Sequence, residues 1–208
     1  MTHRISTPRG DAEVDLDIPP EPALLLVLGH GAGGSVRSPD LVAIRDAAVA
    51  AGYAVARVTQ PYRVAGRRAP APAAHLDEAW LAVLAGLDAL APEAGLASLP
   101  LVTGGRSSGA RVACRTAKAV GAAGVLALAF PLHPPGRPDR TRADELVAAG
   151  VPVLVINGDR DPFGVPEPRR RVTVHVVPGA NHSLRTAPAN LTTPALAWLK
   201  KVRRRPRR

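Results

Sequence analysis

The chain has 208 residues and a mass of 21.6 kDa, enough for one compact domain with a sizeable core. Its hydrophobic fraction of 46% and charged fraction of 21% are ordinary for a globular protein and exclude wholesale disorder. Aromatic residues make up only 3%, so the core must be built from Ala, Val and Leu. A platform of rings for stacking single-stranded nucleic acid is therefore not expected.

The formal net charge of +10 is concentrated at the C-terminus. Residues 200–208 read KKVRRRPRR and hold seven of the 27 cations and no acid, which leaves 20 cations against 17 acids, or +3, in the rest of the chain. We interpret residues 1–199 as a single domain and residues 200–208 as a solvated basic tail. Such a tail can touch an anionic surface without specificity, so a dedicated nucleic-acid function is not predicted.

Signals for the cellular compartment are few. Cys114 has no other cysteine to pair with inside the chain, which is typical of proteins in a reducing compartment. Residues 1–17 lack the apolar segment of a secretory signal. The longest uncharged apolar stretch, residues 119–132, is too short to cross a bilayer. We expect a cytoplasmic protein without a membrane segment.

Short β-branched or Leu-rich runs alternate with longer Ala-rich segments along the chain, and an alternating polar–apolar strand opens the series. The predicted strands are 11–18, 23–28, 53–58, 101–103, 125–130, 151–156 and 172–177, and the predicted helices are 40–51, 76–90, 108–120, 143–149 and 189–202. This order predicts an α/β fold in which a mostly parallel, twisted sheet carries helices on both faces.

The most specific local signal is the segment LVTGGRSSGAR at residues 101–111. A buried strand enters the pattern G-x-S-x-G, and a helix follows, which is the context of a nucleophile elbow. The turn is so tight that side chains at Gly105 and Gly109 would clash, and it lifts Ser107 above the sheet. Ser108 is a poorer candidate because no glycine stands two positions from it.

A serine hydroxyl needs a neighbouring base, because it is a weak nucleophile at neutral pH. His182 lies in the loop between the last predicted strand and the last helix, beside the edge at which Ser107 emerges, and is the best base. His30 and His133 also follow strand ends and are alternatives for lining a site. The other histidines lie in an N-terminal extension, at the start of a helix and within a strand: His3, His75 and His175.

An acid that orients the base should follow an intervening strand, and residues 153–162 (VLVINGDRDP) offer two. Gly158 lets the chain turn at the strand end. Asp159 stands at the turn itself, where it is suited to capping backbone N–H groups. Asp161 stands further along, above the carboxyl edge of the sheet, and we favour it as the orienting acid.

A glycine-rich loop, GHGAGG at residues 29–34, follows the first buried strand. Small residues there let backbone N–H groups approach a substrate carbonyl, so we expect an oxyanion hole from the N–H groups of Ala32 and Ser108. The same glycines fit a dinucleotide fingerprint, although the next strand ends without the ribose-binding acid. Arg57 could serve a 2′-phosphate, so an NADP-binding protein is an alternative. The sequence has no metal-ligand spacing, and no cofactor is expected.

Four blocks, HGAGG, GGRSSGAR, NGDRDPFG and GANHSL, resemble the α/β-hydrolase superfamily in an order that covers nearly the whole chain. The segments QPYRVAGRRAPAP and AFPLHPPGRP are similar to small predicted hydrolases of the dienelactone-hydrolase-like branch. That family includes a domain in a regulatory subunit of an animal histone-acetyltransferase complex and a testis-expressed relative. The resemblance implies Ser107 as nucleophile, Asp161 as acid and His182 as base, in the chain order of α/β-hydrolases. The chain departs from it in having Ser108 and Ala110 where relatives often carry Met and Gly.

Only residues 131–150 separate two of the predicted strands, at the place where many hydrolases insert a cap domain. We therefore expect a fold without a cap and a shallow, open site. The sequence predicts a serine hydrolase that acts on a small or exposed carboxylic ester or thioester through an acyl-enzyme. Because some members of the resembling family serve as scaffolds, a non-catalytic interaction module is the alternative.

One segment, residues 59–74, is rich in Pro and Arg and follows the carboxyl end of a predicted parallel strand. That edge is where α/β proteins bind ligands. Arg63, Arg67 and Arg68 are either solvated loop charges or a site for an anionic part of a small acyl substrate, because a guanidinium fork matches a carboxylate or phosphate.

Overall fold

The sheet of this computed structural model has eight strands in the order β1-β2-β4-β3-β5-β6-β7-β8, and the structure describes residues 2–203. The strands are β1 Thr2–Thr7, β2 Gly10–Asp17, β3 Leu25–Gly29, β4 Ala54–Thr59, β5 Leu101–Arg106, β6 Gly124–Leu128, β7 Val153–Gly158 and β8 Val172–Val177. Strand β2 is antiparallel to both β1 and β4, whereas the adjacent strands from β4 to β8 are parallel. The carboxyl ends of the parallel strands therefore meet at one edge.

Helices cover both faces of the sheet. The helices are α1 Pro39–Ala50, α2 Pro61–Val64, α3 Ala73–Gly86, α4 Ser108–Thr116, α5 Ala143–Ala148 and α6 Ala189–Val202. Helices α1 and α6 pack on one face through residues such as Leu41 and Leu199. Helices α3, α4 and α5 pack on the other, where Trp80 is fully buried. The strands between them are apolar on both faces, as two-sided burial requires.

The predicted α/β-hydrolase fold, with a mostly parallel sheet and no cap domain, is confirmed. Strand β8 and helix α6 have the predicted bounds, while β5 extends to Arg106, three residues beyond its prediction. Between β6 and β7 the described chain holds a loop and the six-residue helix α5, with no inserted domain.

Other elements also differ from the sequence-based expectation, among them α4, which ends at Thr116 instead of residue 120. Strand β1 was not predicted because it is an edge strand in which only Ile5 is buried, so its sequence carries no strong alternation. Helix α3 ends at Gly86 and gives way to short 3₁₀ turns instead of reaching residue 90. The segment after β4 contains the four-residue helix α2, which begins at Pro61, a residue that fits the first turn of a helix.

The predicted boundary between domain and tail falls inside α6. That helix runs to Val202, so Lys200 and Lys201 belong to its last turn, where cations interact favourably with the helix dipole. Residues 204–208 of the predicted tail lie outside the described residues. Within 2–203, no helix combines the length and apolar character needed to cross a membrane.

Candidate active site

Ser107 stands alone between β5 and α4 in a strained backbone conformation, with φ of 53° and ψ of −110°. A Cβ added to Gly105 or to Gly109 would overlap the carbonyl oxygen of Gly29 at the end of β3. Both glycines are thus required by the close approach of the turn to the neighbouring strand. The turn holds the serine at the carboxyl edge, at the N-terminus of α4.

Ser107, His182 and Asp161 form one hydrogen-bonded chain. The Oγ of Ser107 lies 2.9 Å from Nε2 of His182, and Nδ1 of His182 lies 2.8 Å from Oδ2 of Asp161. Because the carboxylate accepts from Nδ1–H, Nε2 is left as the acceptor for the serine hydroxyl. The structure therefore brings together the three residues that the sequence predicted, in the geometry of a nucleophile, a base and an orienting acid.

The imidazole of His182 also contacts an aromatic ring. Phe163 packs against it in a T-shaped arrangement, with ring centroids 4.5 Å apart and an interplanar angle of 79°. The histidine side chain retains 19% exposure, whereas the Asp161 side chain is fully buried. A buried carboxylate against a partly exposed imidazole limits how many orientations the ring can adopt.

Asn157, at the end of β7, is a site residue that the sequence analysis missed. Its fully buried amide accepts the Phe130 N–H at 2.8 Å and donates toward Oδ2 of Asp161 at 3.3 Å. The other oxygen of Asp161 accepts the Phe163 N–H at 2.9 Å. Asn157 thus ties the end of β6 to the acid. The only sequence signal was an amide just before the Gly-Asp turn.

Asp159, the alternative acid, has a different role. Its Oδ1 accepts the N–H of Gly179 at 2.8 Å and so caps the turn that leads into the histidine loop. Among the alternative bases, His133 is half-buried, and its Nδ1 contacts the carbonyl of Arg140 at 2.7 Å. Neither side chain is in hydrogen-bond contact with Ser107.

The loop after β3 lies against the nucleophile turn. A Cβ built on Gly31 would be 3.4 Å from the Cβ of Ser107. The N–H of Gln60 donates to Nε2 of His30 at 3.1 Å, so the proton of His30 is on Nδ1, which donates to the Gly31 carbonyl at 2.8 Å. Since C=O and N–H of a trans peptide point in opposite directions, this bond fixes the direction of the Ala32 N–H.

Two further features hold this loop. The Tyr62 hydroxyl donates to the Ala32 carbonyl at 2.7 Å, and its ring lies 5.8 Å from that of His30. Burial lowers the pKa of His30 below its ordinary value, and the nearby Arg63 cation acts in the same direction against the Gly31 carbonyl. His30 is therefore a neutral support of the loop, with both ring nitrogens occupied.

Arg57, considered above for a 2′-phosphate, is a buried residue of the sheet. Its guanidinium lies 3.7 Å from Asp15 and 3.6 Å from Asp17 and donates to the Val36 carbonyl at 3.0 Å. These partners leave it committed to the packing of β2 against β4. Across residues 2–203, no group of three His, Cys, Asp or Glu side chains is arranged to hold a metal ion.

Arg106, the residue before the nucleophile, is a second residue that the sequence analysis missed. Its Nη2 donates to the backbone carbonyl of His182 at 2.9 Å, and its Nε lies 3.0 Å from Oδ2 of Asp40. In the sequence it fills a variable position of the G-x-S-x-G pattern, so no local signal marks it.

Two adjoining depressions lie on the α3 side of Ser108. A small recess is bordered by Ser108, Gln60, Tyr62, Leu76 and Trp80, among others. A wider cleft of about 350 Å³ shares Gln60, Tyr62 and Leu76 with it. The basic side chains of the wider cleft are those of Arg9, Arg67 and His75. Arg67 is exposed, and its backbone carbonyl accepts from Arg63.

Comparison with solved structures finds the same fold at low sequence identity. XC6422 from Xanthomonas campestris, described as an α/β serine hydrolase without lid, superposes with a TM-score of 0.73 at 21% identity, covering 97% of this chain and 94% of that one. Est1E from Butyrivibrio proteoclasticus superposes with a TM-score of 0.77 at 15% identity, covering 98% of this chain and 99% of that one. An esterase from Pyrobaculum calidifontis superposes with a TM-score of 0.66 at 16% identity, covering 98% of this chain and 84% of that one.

No curated protein sequence matches this chain. Comparison with protein families, in contrast, matches residues 22–204 to the alpha/beta hydrolase domain. That match runs from before β3 to the end of α6 and includes the loop after β3, the nucleophile elbow and the turns after β7 and β8. The chain is thus a member of the alpha/beta hydrolase domain family.

Proposed function

We propose that the protein is a serine hydrolase that cleaves a small or exposed carboxylic ester or thioester. The observation that carries the proposal is the continuous hydrogen-bonded chain from Asp161 through His182 to Ser107, with contacts of 2.8 and 2.9 Å. A serine held against an imidazole whose tautomer is fixed by a buried carboxylate is activated for attack on an acyl carbon.

In the proposed reaction, Oγ of Ser107 attacks the acyl carbon while its proton passes to Nε2 of His182. Asp161 stabilises the imidazolium that forms. The tetrahedral intermediate collapses, the leaving alcohol or thiol takes the proton from His182, and the acyl group stays on Ser107. Water, deprotonated by His182, then attacks the acyl-enzyme and releases the acid.

The negative oxygen of the tetrahedral intermediate would be bound by the N–H groups of Ala32 and Ser108. Support comes from the contact of the Gly31 backbone with Ser107 and from the position of Ser108 at the first turn of α4, where N–H groups lack intrahelical partners. The hydrogen bonds from His30 and Tyr62 hold the two peptides around Ala32, which is the pre-organisation that oxyanion stabilisation needs.

The structural neighbours support the same chemistry. One is described as a serine hydrolase without lid and another as an esterase, and Est1E has been solved with ferulic acid bound. The absence of an inserted domain between β6 and β7 suits a substrate whose acyl group is small or protrudes from a larger molecule.

The wider cleft suggests that the part of the substrate lying over Gln60 and Tyr62 carries a carboxylate or phosphate. Arg67 is exposed on the wall of this cleft, and none of the ion pairs among the described residues includes it. Arg9 also borders the cleft but is paired with Glu78 at 2.5 Å, so binding of an anion depends on Arg67. A planar guanidinium fork matches either anion.

Steady-state hydrolysis of p-nitrophenyl acetate by the wild type, Ser107→Ala and Ser108→Ala tests the proposal. We expect Ser107→Ala to lose turnover on the order of 10³-fold or more, the scale for removal of a triad nucleophile. Ser108→Ala is the matched control and keeps most of the activity, because the backbone N–H of residue 108 remains. A wild type inert toward this ester and toward a fluorophosphonate would favour the non-catalytic interaction module.

A further inference from the structure

Arg106 contacts several of the chain segments from which the candidate site is built. It belongs to the nucleophile turn itself, and its Nη2 donates to the carbonyl of His182 at 2.9 Å. Its Nη1 lies against the loop after β3, where a Cβ built on Gly31 would be 3.0 Å away. Its Nε lies 3.0 Å from the carboxylate of Asp40 in the first turn of α1. One side chain therefore connects the nucleophile, the base and the loop after β3, which is called the oxyanion loop below.

The anchor of this side chain is rigid. The side chain of Asp40 is 1% exposed and that of Arg106 is 16% exposed. A buried carboxylate is costly unless it is paired, so the ion pair with Arg106 compensates Asp40 and draws the guanidinium toward α1, although Nε and Oδ2 do not meet in hydrogen-bond geometry. Pro39 and Leu41 on either side of Asp40 are parts of α1, which packs on the sheet. The anchor is thus part of the core layer.

The side chain of His182 has its own partners, Ser107 and Asp161, but these contacts require the backbone of the histidine loop to be correctly placed. The loop follows β8, the edge strand next to β7, and Leu184 within it adopts a positive φ of 47°. The bond from Arg106 to the His182 carbonyl fixes this backbone relative to the nucleophile.

We infer that Arg106 is a positioning residue that sets the His182 loop and the oxyanion loop in register with Ser107. This inference rests on the proposed hydrolase function. The planar guanidinium supports it because its three nitrogens face three different partners. A lysine ammonium is a point charge and cannot reach Asp40 and the His182 carbonyl with the same geometry.

The test compares Arg106→Met, Arg106→Lys and Arg115→Met. Arg115 is the matched control, because its guanidinium is equally half-buried and binds Asp77 at 2.6 and 2.8 Å on the α3–α4 surface. Ester turnover, thermal midpoint and the downfield proton resonance of His182 Nδ1–H are measured for each. We expect Arg106→Met to lower kcat by about 10- to 100-fold with little change in KM, since a misplacement near 1 Å can cost that much.

Arg106→Lys should keep the thermal midpoint near that of the wild type, because it retains the charge beside Asp40, and still lose most of the rate. Both variants should broaden or lose the His182 resonance, whereas Arg115→Met should keep the resonance and the rate. If Arg106→Met does not fold, the double variant with Asp40→Asn removes the unpaired buried charge and is measured in its place.

Wild-type kcat and an intact His182 resonance in folded Arg106→Met, or in the double variant, would overturn the inference. A wild type without turnover would instead refute the proposed function. In that event the His182 resonance still decides the positioning role, because it reports the hydrogen bond to Asp161 and not catalysis.

Discussion

The turns that carry Ser107, Asp161 and His182 differ sharply from the segment 63–72 on the same edge of the sheet. In the turns that carry these three residues, glycines allow close approach to the neighbouring backbone, and the acid is buried. The polar side-chain atoms of Ser107, His182 and Asp161 each have a hydrogen-bond partner. In the other segment, residues 65–70 are all exposed, and the arginines are held only through backbone contacts. In the proposed function, the fixed geometry serves the chemistry, and we predict that the exposed segment serves substrate choice.

The largest expected effect is on the acid. Asp161→Asn should lower kcat by about 10⁴-fold, because the amide oxygen stays with the Phe163 N–H and the NH2 group then donates to Nδ1, which leaves His182 in the wrong tautomer. Asp159→Asn is the matched control, since an amide oxygen still accepts the Gly179 N–H, and it should change kcat only slightly. Ester kinetics of the two purified variants measure this. Equal losses would mean that the acid is misassigned.

A smaller effect is expected from backbone crowding. Gly109→Ala places a methyl group against the Gly29 carbonyl and should lower the free energy of unfolding by about 1–3 kcal/mol, as overpacking does. Gly33→Ala, in the loop after β3, meets no atom within 4 Å and should stay within about 0.5 kcal/mol of the wild type. Urea unfolding of the two variants and the wild type measures these free energies. Similar values for both variants would contradict the close approach of the elbow to β3.

The smallest effect is expected at the exposed rim. Arg67→Ala should raise KM a few-fold for an ester with a remote carboxylate and leave KM for a neutral ester of equal size unchanged. Added salt should shrink the difference, because it screens exposed charges. Arg68→Ala is the control, because Arg68 is not among the residues that border the cleft. If both substrates respond alike to Arg67→Ala, the rim has no role in anion binding.

The sequence predicted some parts of the molecule better than others. Ser107 and its glycines could be placed because a single local pattern contains both the chemistry and its steric requirement. Strand β8 was placed correctly because it is rich in β-branched residues, and helix α6 because its buried residues recur at helical spacing. Strand β1 was missed because an exposed edge strand needs little apolar patterning.

Residues that act through distant partners left no such pattern. Arg106 binds Asp40 and the His182 carbonyl, which lie 66 and 76 positions away in the chain. Asn157, in β7, binds the backbone of Phe130, which follows the neighbouring strand β6. Each contact depends on how the strands are ordered in the sheet, and a single sequence does not encode that order in any local spacing.

The central claim is that Ser107 is a nucleophile activated by His182. Its most direct measurement is covalent labelling with a fluorophosphonate, followed by mass-spectrometric identification of the modified peptide, in the wild type and in His182→Ala. We predict a single phosphonylated residue, Ser107, in the wild type and labelling slowed on the order of 10³-fold or more without His182. Labelling at another serine, or at Ser107 with an unchanged rate in His182→Ala, would contradict the claim.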